Sequence, residues 1–297
     1  MPDDHEDPAI PQPLHDAGLV SAGFPIELQN EIWSRRSGDK ADIARQTGRV
    51  FASLYARLGA RDDLRVLSLG CGIEPQLAIY QALAREIFLL DIDQGSLDHL
   101  RQNAAEHFCN NIHVIRQDFT GFLDEGFTRS FCGKLADKPA EAVFLHHSLY
   151  YLPQCDWLCL LRNIYTHLLA PGGSIHCVLM SSRCADPQST TWLYNHFAGA
   201  FCQHKNDQDL LLFAQEVPGA AGFSGAQISA SSSRVRFHGK DFSELMAVVW
   251  MILLYPQVHQ YTAEQMAQII CHIYRHFFVS GVPLLQEQDH LVITRPR

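Results

Sequence analysis

The sequence lacks several features that would each point to a particular class of function. It has no long apolar run: the longest, Leu245 to Tyr255, covers about eleven residues where a membrane-spanning helix needs ~20. That stretch is therefore expected to be a buried helix, and no membrane partner is expected. Basic residues are scarce, 23 Lys and Arg against 32 Asp and Glu for a net charge of −9, so the overall field repels polyphosphates. Nucleic acid is accordingly excluded as the expected partner. CxxC pairs are absent as well: the nine cysteines are scattered, odd in number and mostly inside apolar stretches, without zinc or redox spacing. They read as reduced core residues of a cytoplasmic protein, with no metal. The start, MPDDHEDPAIPQP, has no basic region followed by an apolar run. No secretory or mitochondrial signal is expected there, and residues 1–18 are expected to form a disordered tail.

What is present is enough for one large core: 297 residues, 47% of them hydrophobic, with ordinary Gly and Pro content and no repeats. Helical periodicity over Ile43, Val50, Phe51, Leu54 and Leu58 places a helical cap, residues 19–60, before the first strand. From Leu64 short apolar runs alternate with amphipathic helices. The predicted strands are Val66 to Leu69, Ile87 to Leu90, His113 to Ile115, Ala142 to Leu145 and Ile175 to Met180. The predicted helices are Gln76 to Arg85, Ser96 to His107 and Asp156 to Leu169, the last ended by a turn at Ala170-Pro171-Gly172-Gly173. Runs apolar on both faces between helices imply an α/β fold with a doubly wound, mostly parallel sheet over residues 61–182. Residues 183–297 are expected to continue the same domain with helical, substrate-binding insertions. These comprise helices at Trp192 to Phe201, Gln208 to Gln215 and Phe242 to Tyr255, and one opened by a capping box at Thr262 to Gln265. Strands are predicted at Ile228 to Phe237 and His290 to Thr294.

The chemistry concentrates at the ends of these strands. In RVLSLGCGIEP, Arg65 to Pro75, a strand runs directly into a glycine turn and then a helix, which lets backbone N–H groups approach a ligand. About twenty residues on, the second strand ends in Asp91-Ile92-Asp93, where a carboxylate can accept two ribose hydroxyls. The third glycine of a dinucleotide-binding loop is absent, and the Glu74 carboxylate beside that position would repel a pyrophosphate. NAD is thus disfavoured, and a cationic adenosine ligand without phosphates fits.

Taken as an ordered set, VLSLGCG (Val66 to Gly72), LLDID (Leu89 to Asp93), RQDF (Arg116 to Phe119) and LLAPGGSI (Leu168 to Ile175) resemble the class I S-adenosylmethionine-dependent methyltransferases. The resemblance covers Leu64 to Met180 and implies a Rossmann-like core that binds S-adenosyl-L-methionine. It places Gly70 and Gly72 near the methionine part, Asp91 on the ribose, and Asp118 with Phe119 on the adenine. Ser68, Cys71, Glu74, Ile92 and His146, on the same strand ends, complete the expected cofactor-binding set. Two positions depart from the family pattern: the acid before the first glycine is Ser68, and the third glycine is Glu74. Both departures, with helices between the last two strands, look like the histamine N-methyltransferase branch of small-molecule enzymes.

The segment after the fourth strand, Phe144 to Pro153, lacks the Asp/Asn-Pro-Pro-aromatic sequence by which related DNA amino-methyltransferases grip a flipped base. In it, His146 or His147 is a candidate general base, and Tyr150 or Tyr151 a candidate to face the sulfonium or an amine. The plainer alternative is that one histidine packs under the sheet and the tyrosines are wall residues. Glu27, Asn30, Asp39 and Asn195, in the parts added to the sheet, are candidates to hold a cationic amine. His272 and His276 have metal-compatible spacing but no third ligand, and Trp250 and Met251 are expected in the core. The expected activity is methyl transfer to nitrogen or oxygen of a small molecule. The alternative is aminocarboxypropyl transfer or internal cyclisation releasing methylthioadenosine from the same cofactor.

Overall fold

Five short stretches rich in apolar residues form the parallel strands β1 (Arg65–Leu69), β2 (Glu86–Asp91), β3 (Ile112–Arg116), β4 (Ala140–His146) and β5 (Leu169–Met180). The computed structural model describes residues 9–59, 63–107, 109–135, 138–254 and 260–297. With β6 (Gln227–Phe237) and β7 (Leu284–Thr294) the strands make a seven-stranded sheet in the order β3-β2-β1-β4-β5-β7-β6, with β7 antiparallel to β5. This is the expected α/β, mostly parallel architecture. A reversal of strand order on either side of β1 leaves a crevice at the carboxyl ends of β1 and β4, where open α/β sheets bind ligands.

The described residues cluster into two units rather than one continuous domain. The first comprises Lys40–Ser181, Gln208–Ser233 and Gln288–Arg297, the second Met1–Asp39, Ser182–Asp207 and Arg234–Glu287. In the first unit both faces of the sheet are covered at β1, β2, β4 and β5, which are buried along nearly their whole length, while β3 and β6 at the edges are mostly half-buried or exposed. One face packs Trp157, Leu160, Leu161 and Ile164 of α7 (Gln154–His167) and Phe213 of α9 (Leu210–Glu216) against Leu67, Val143 and Ile175. The other packs Val50, Phe51 and Leu54 of α3 (Asp39–Leu58), Tyr80 of α4 (Leu77–Leu83) and Leu100 of α5 (Gln94–Glu106) against Val66, Ile87 and Phe144. A short α6 (Glu125–Phe131), which the sequence pattern does not announce, follows β3.

The second unit is helical, built from α1 (Gln12–Ala22), α2 (Ile26–Arg36), α8 (Thr190–Cys202), α10 (Phe242–Leu254) and α11 (Ala263–Ile273). Helix α10 is the expected buried helix: Leu245 to Trp250 are all buried, and Trp250 Nε1 donates to the Gly18 carbonyl at 2.8 Å. Tyr255, its expected last residue, lies outside the described residues. Thr262 and Gln265 form the reciprocal capping box at the start of α11. Two expectations are corrected. The stretch expected to be disordered to residue 18 contains α1, which begins at Gln12; its Gly18 carries Ile270 of α11 within 3.1 Å of its Cβ position, and residues 1–8 lie outside the described residues. The turn expected at Ala170 to Gly173 is instead the start of β5. There Gly172 takes a φ of +77° and the register with β4 shifts between Ala140 and Ala142, a bulge that absorbs the proline and both glycines.

Candidate active site

Strand β1 ends in a loop whose backbone turns left-handed three times. Gly70 has φ +62°, Gly72 +53° and Glu74 +42°. At Gly70 the reason is steric as well as conformational: a Cβ there would lie 2.7 Å from Ser148 Cβ and 3.3 Å from the Phe119 ring. At Gly72 a Cβ would meet nothing within 4 Å, so this glycine borders open space. Glu74 holds the same conformation without a glycine's freedom, at a cost of about 1–3 kcal/mol that elsewhere marks functional positions. Its carboxylate is buried, accepts the Ser68 hydroxyl and the Gln76 backbone N–H at 3.3 Å, and is pushed up to about 7 by burial. The two departures from the family pattern are therefore one paired feature. A serine at the end of β1 binds an acid that returns from four residues beyond Gly70. Cys71 is buried, and burial with the neighbouring Glu74 and Asp91 charges raises its thiol, so it is no nucleophile.

Asp91 ends β2 beside this loop. One carboxylate oxygen accepts the Gly72 N–H at 2.7 Å and the other the Asp93 N–H at 2.9 Å. A carboxylate has about four acceptor positions, so hydroxyl donors can still be added. Asp93 caps α5 through the Ser96 N–H at 2.7 Å, while Ile92 between them is 61% exposed. Asp118 is exposed and caps the 3₁₀ turn Phe119–Leu123 by accepting the Thr120 N–H at 2.9 Å. Phe119 is buried with its ring against Gly70.

The end of β4 lies on the other side of the loop. His146 Nε2 pairs with His176 Nδ1 of β5 at 3.1 Å, and burial together with the neighbouring histidines pushes its pKa well below the ordinary value. Its Nδ1 is buried and has no hydrogen-bond partner among the described residues, as is also true of Ser148 Oγ. His147 adopts a φ of +56° and stacks on Tyr150, ring centroids 5.9 Å apart, with Nδ1 3.3 Å from the tyrosine oxygen. That oxygen also accepts the Met180 N–H and so ties the loop to β5. Tyr151 is 58% exposed.

Ser68, Gly70, Cys71, Glu74 and His146 meet around one cavity of about 50 Å³, together with Lys40, Ile43, Pro75 and Gln76. The cavity, the orphaned His146 Nδ1 on its wall and the open space beside Gly72 fit a charged amino-acid end, and Asp91 keeps acceptor positions for hydroxyl donors. Sequence reasoning misses Lys40, Gln76 and His176. Only the last has a visible signal, a histidine inside an otherwise apolar strand.

Other candidates are placed elsewhere. Asp39 is corrected as an amine ligand: it is fully buried and accepts Trp33 Nε1 at 2.6 Å. Asn195 Oδ1 accepts the Asn206 N–H at 2.7 Å. Asn30 is half-buried on α2, and the side chain of Glu27 lies outside those described. His272 lies 4.4 Å from the His276 ring within a stack with Trp192, and burial lowers it to about 4. No group of three or more metal-ligating side chains occurs among the described residues. A larger hollow of about 360 Å³ lies by Arg57, Gly172, Thr294 and Arg295, at the opposite edge of the strands. Its Arg57 and Arg295 donate to the Gly172, Tyr165 and Leu169 carbonyls, and it contains no acid–base group.

Comparison with known proteins bears on the family and the fold. A family described as a methyltransferase domain matches residues 43–217. The YcgJ protein of Bacillus subtilis is similar in structure at TM-score 0.52 and 12% identity, over 84% of this chain and 99% of that one. A putative methyltransferase from Bacillus halodurans is similar at TM-score 0.51 and 12% identity, over 83% and 99%. Both likenesses bear on the fold. No curated protein matches in sequence. With the family matched over more than half its length and the loop, acid and sheet order in place, the chain belongs to the methyltransferase-domain family, and S-adenosyl-L-methionine is its cofactor.

Proposed function

We propose that this chain methylates nitrogen or oxygen of a small molecule in the cytoplasm. The observation that carries the reading is the Ser68–Glu74 pair in the cavity with Lys40 and His146, since it supplies a buried acid and a cation for an amino-acid end. In this reading Glu74 and His146 hold the ammonium of the methionine part, Lys40 its carboxylate, and Gly70 and Gly72 let it lie close to the backbone. Asp91 takes the ribose, with Ile92 covering it. Asp118 and Phe119 take the adenine. When bound, the cofactor supplies an electrophilic methyl on a sulfonium.

The chain's own contribution is positioning. A neutral amine can attack a methyl sulfonium directly once aligned and desolvated, while a hydroxyl needs a proton acceptor. His147 and Tyr150, stacked at the end of β4, are proposed as the wall of the reacting centre. The net charge of −9 and the missing base-gripping sequence favour a small molecule over nucleic acid, and the helices between the last strands favour the branch that includes histamine N-methyltransferase.

Incubation with S-adenosylmethionine and a metabolite extract, read by mass spectrometry, tests this. The expected products are S-adenosylhomocysteine and a metabolite heavier by one methyl. Methylthioadenosine in its place would transfer the protein to aminocarboxypropyl or cyclisation chemistry. Asp91→Ala is expected to weaken cofactor binding by about 1.5–3 kcal/mol through loss of charge-assisted hydrogen bonds. Unchanged affinity in calorimetry would mean that the ribose lies elsewhere.

A further inference from the structure

Three histidines stand side by side on the sheet, one on each of β4, β5 and β7. His146 of β4 pairs in register with Val178 of β5, His176 of β5 with Phe144 of β4, and His290 of β7 with Val178. His176 and His290 are buried, and all three rings are hydrogen-bonded in series. His146 Nε2 lies 3.1 Å from His176 Nδ1, His176 Nε2 lies 3.3 Å from His290 Nδ1, and His290 Nε2 lies 3.2 Å from Asp42 Oδ2 of α3. Every member belongs to the first unit. Asp42 is itself buried and surrounded by donors: Ser233 Oγ and Gln288 Nε2, the latter at 2.7 Å, share Oδ2, and Arg45 takes Oδ1. Burial opposes its ionisation, but those hydrogen bonds outweigh it and hold the carboxyl below its ordinary range.

The direction of the series follows from its end. His290 Nε2 also lies 2.9 Å from Ser233 Oγ, but that hydroxyl gives its proton to Asp42 and a carboxylate only accepts, so His290 Nε2 carries the proton and its Nδ1 is a lone pair. His176 must then donate from Nε2, which leaves its Nδ1 as the acceptor for His146 Nε2–H. Burial pushes His176 down to about 3, so it is neutral and can make one donation and one acceptance, as this order demands. At the far end His146 Nδ1 is left as a lone pair. It is the ring nitrogen that is buried without a partner among the described residues, and its ring lines the Lys40–Glu74 cavity.

We infer that Asp42, acting through His290 and His176 as positioning residues, fixes His146 in the tautomer whose unprotonated Nδ1 accepts a hydrogen bond from a primary ammonium in that cavity. The inference rests on the proposed cofactor placement only for the identity of the ammonium, the amino-acid end of S-adenosylmethionine. The tautomer stands on the chain alone. A fixed acceptor avoids the loss of an imidazole that turns its N–H toward a cation, and it adds a second acceptor to Glu74 without a second buried negative charge.

Asp42→Leu gives a discriminating test, with Asp42→Asn as its isosteric control. In Asp42→Asn the amide oxygen stays with the three donors Ser233 Oγ, Gln288 Nε2 and His290 Nε2, and the NH₂ takes the side of the exposed Arg45, so the series keeps its direction. Asp42→Leu removes the acceptor; Ser233 Oγ, 2.9 Å from His290 Nε2, then gives its proton to that nitrogen, and the tautomer of His146 is no longer fixed. The first measurement is ¹⁵N nuclear magnetic resonance of histidine-labelled, ligand-free protein near neutral pH. The expected result is Nε2–H at His146, His176 and His290 in the parent and in Asp42→Asn, with Nδ1–H populated at His146 in Asp42→Leu. A parent His146 protonated at Nδ1, or an Asp42→Leu protein with the parent tautomer alone, overturns the inference.

The second measurement is calorimetric affinity for S-adenosylhomocysteine and for methylthioadenosine, which lacks the amino-acid end. Asp42→Leu is expected to weaken the first at least tenfold and leave the second unchanged, with Asp42→Asn binding both as the parent does. An equal loss for both ligands would reduce the series to a structural element. If the parent protein binds neither nucleoside, the cofactor placement fails, and the resonance measurement alone decides the tautomer.

Discussion

At the residue scale the site stands on two strained or crowded positions, Glu74 and Gly70. Glu74 has its pKa raised from 4.5 to about 7 by burial, so between those values the folded chain holds a proton that the unfolded chain has released. Its contribution to stability is complete below pH 4.5 and is lost as pH rises through 7. At about 1.4 kcal/mol per pH unit, the full loss is on the order of 3 kcal/mol. Three histidines, His146, His176 and His272, are held by burial below their ordinary value and stabilise the fold as pH rises toward 6.5, so the Glu74 effect is read as a difference. In urea titrations of the ligand-free proteins Glu74→Gln is expected to gain about 3 kcal/mol on the parent between pH 4.5 and 7. A cationic ligand reverses the preference: an ammonium beside Glu74 favours the carboxylate, so cofactor binding at about pH 6 should release a proton. Calorimetry in two buffers of different ionisation heat reads that proton directly. Equal apparent heats in both would remove Glu74 from the ammonium's surroundings. Gly70→Ala combines a left-handed φ of +62° with a Cβ 2.7 Å from Ser148, and is expected to cost about 1–3 kcal/mol of stability and most cofactor affinity. A variant with parental melting and binding would show that the loop relaxes freely.

At the element scale, strands and helices with one strong apolar signal are legible in the sequence, and elements held by tertiary packing are not. The five parallel strands follow from short runs rich in apolar residues, and α11 from its capping box and periodicity. Thr262→Ala in that box is expected to lower stability by about 1 kcal/mol in chemical denaturation, because the Gln265 N–H loses its acceptor at 3.3 Å. No change would mean that α11 is held by packing alone. Helix α1 is hidden because its sequence is small and weakly patterned; its register is set by Gly18 beneath Ile270 and Trp250, contacts some 230 and 250 residues away in the chain. The site is legible where the chain is local, in the loop from Ser68 to Glu74 and the acid at Asp91. It is illegible where two strands and a helix contribute one residue each, as with Asp42, His176 and His290. Spacing along the chain carries no trace of such a row. The only local sign is a histidine in an apolar strand, which must find a partner once buried.

At the scale of the whole molecule the excess of acids sets an expectation for which substrates approach. A net charge of −9 spread over 297 residues opposes the release of counterions on which binding to polynucleotides depends. The opposition is greatest at low salt, where screening is weakest and a cationic protein would bind most tightly. Electrophoretic mobility of duplex DNA, single-stranded DNA and transfer RNA is therefore expected to be unchanged by micromolar protein at ~50 mM salt, with or without cofactor. The converse outcome has its own signature: a complex that forms at ~50 mM and is lost by ~200 mM would show basic side chains concentrated on one face despite the overall sign. The small-molecule assignment would then give way to a nucleic-acid substrate acting through that face. A small amine or alcohol is indifferent to this polyelectrolyte term. Its methylation should vary little over the same salt range, so activity against salt separates the two classes of substrate before the molecule that accepts the methyl is identified.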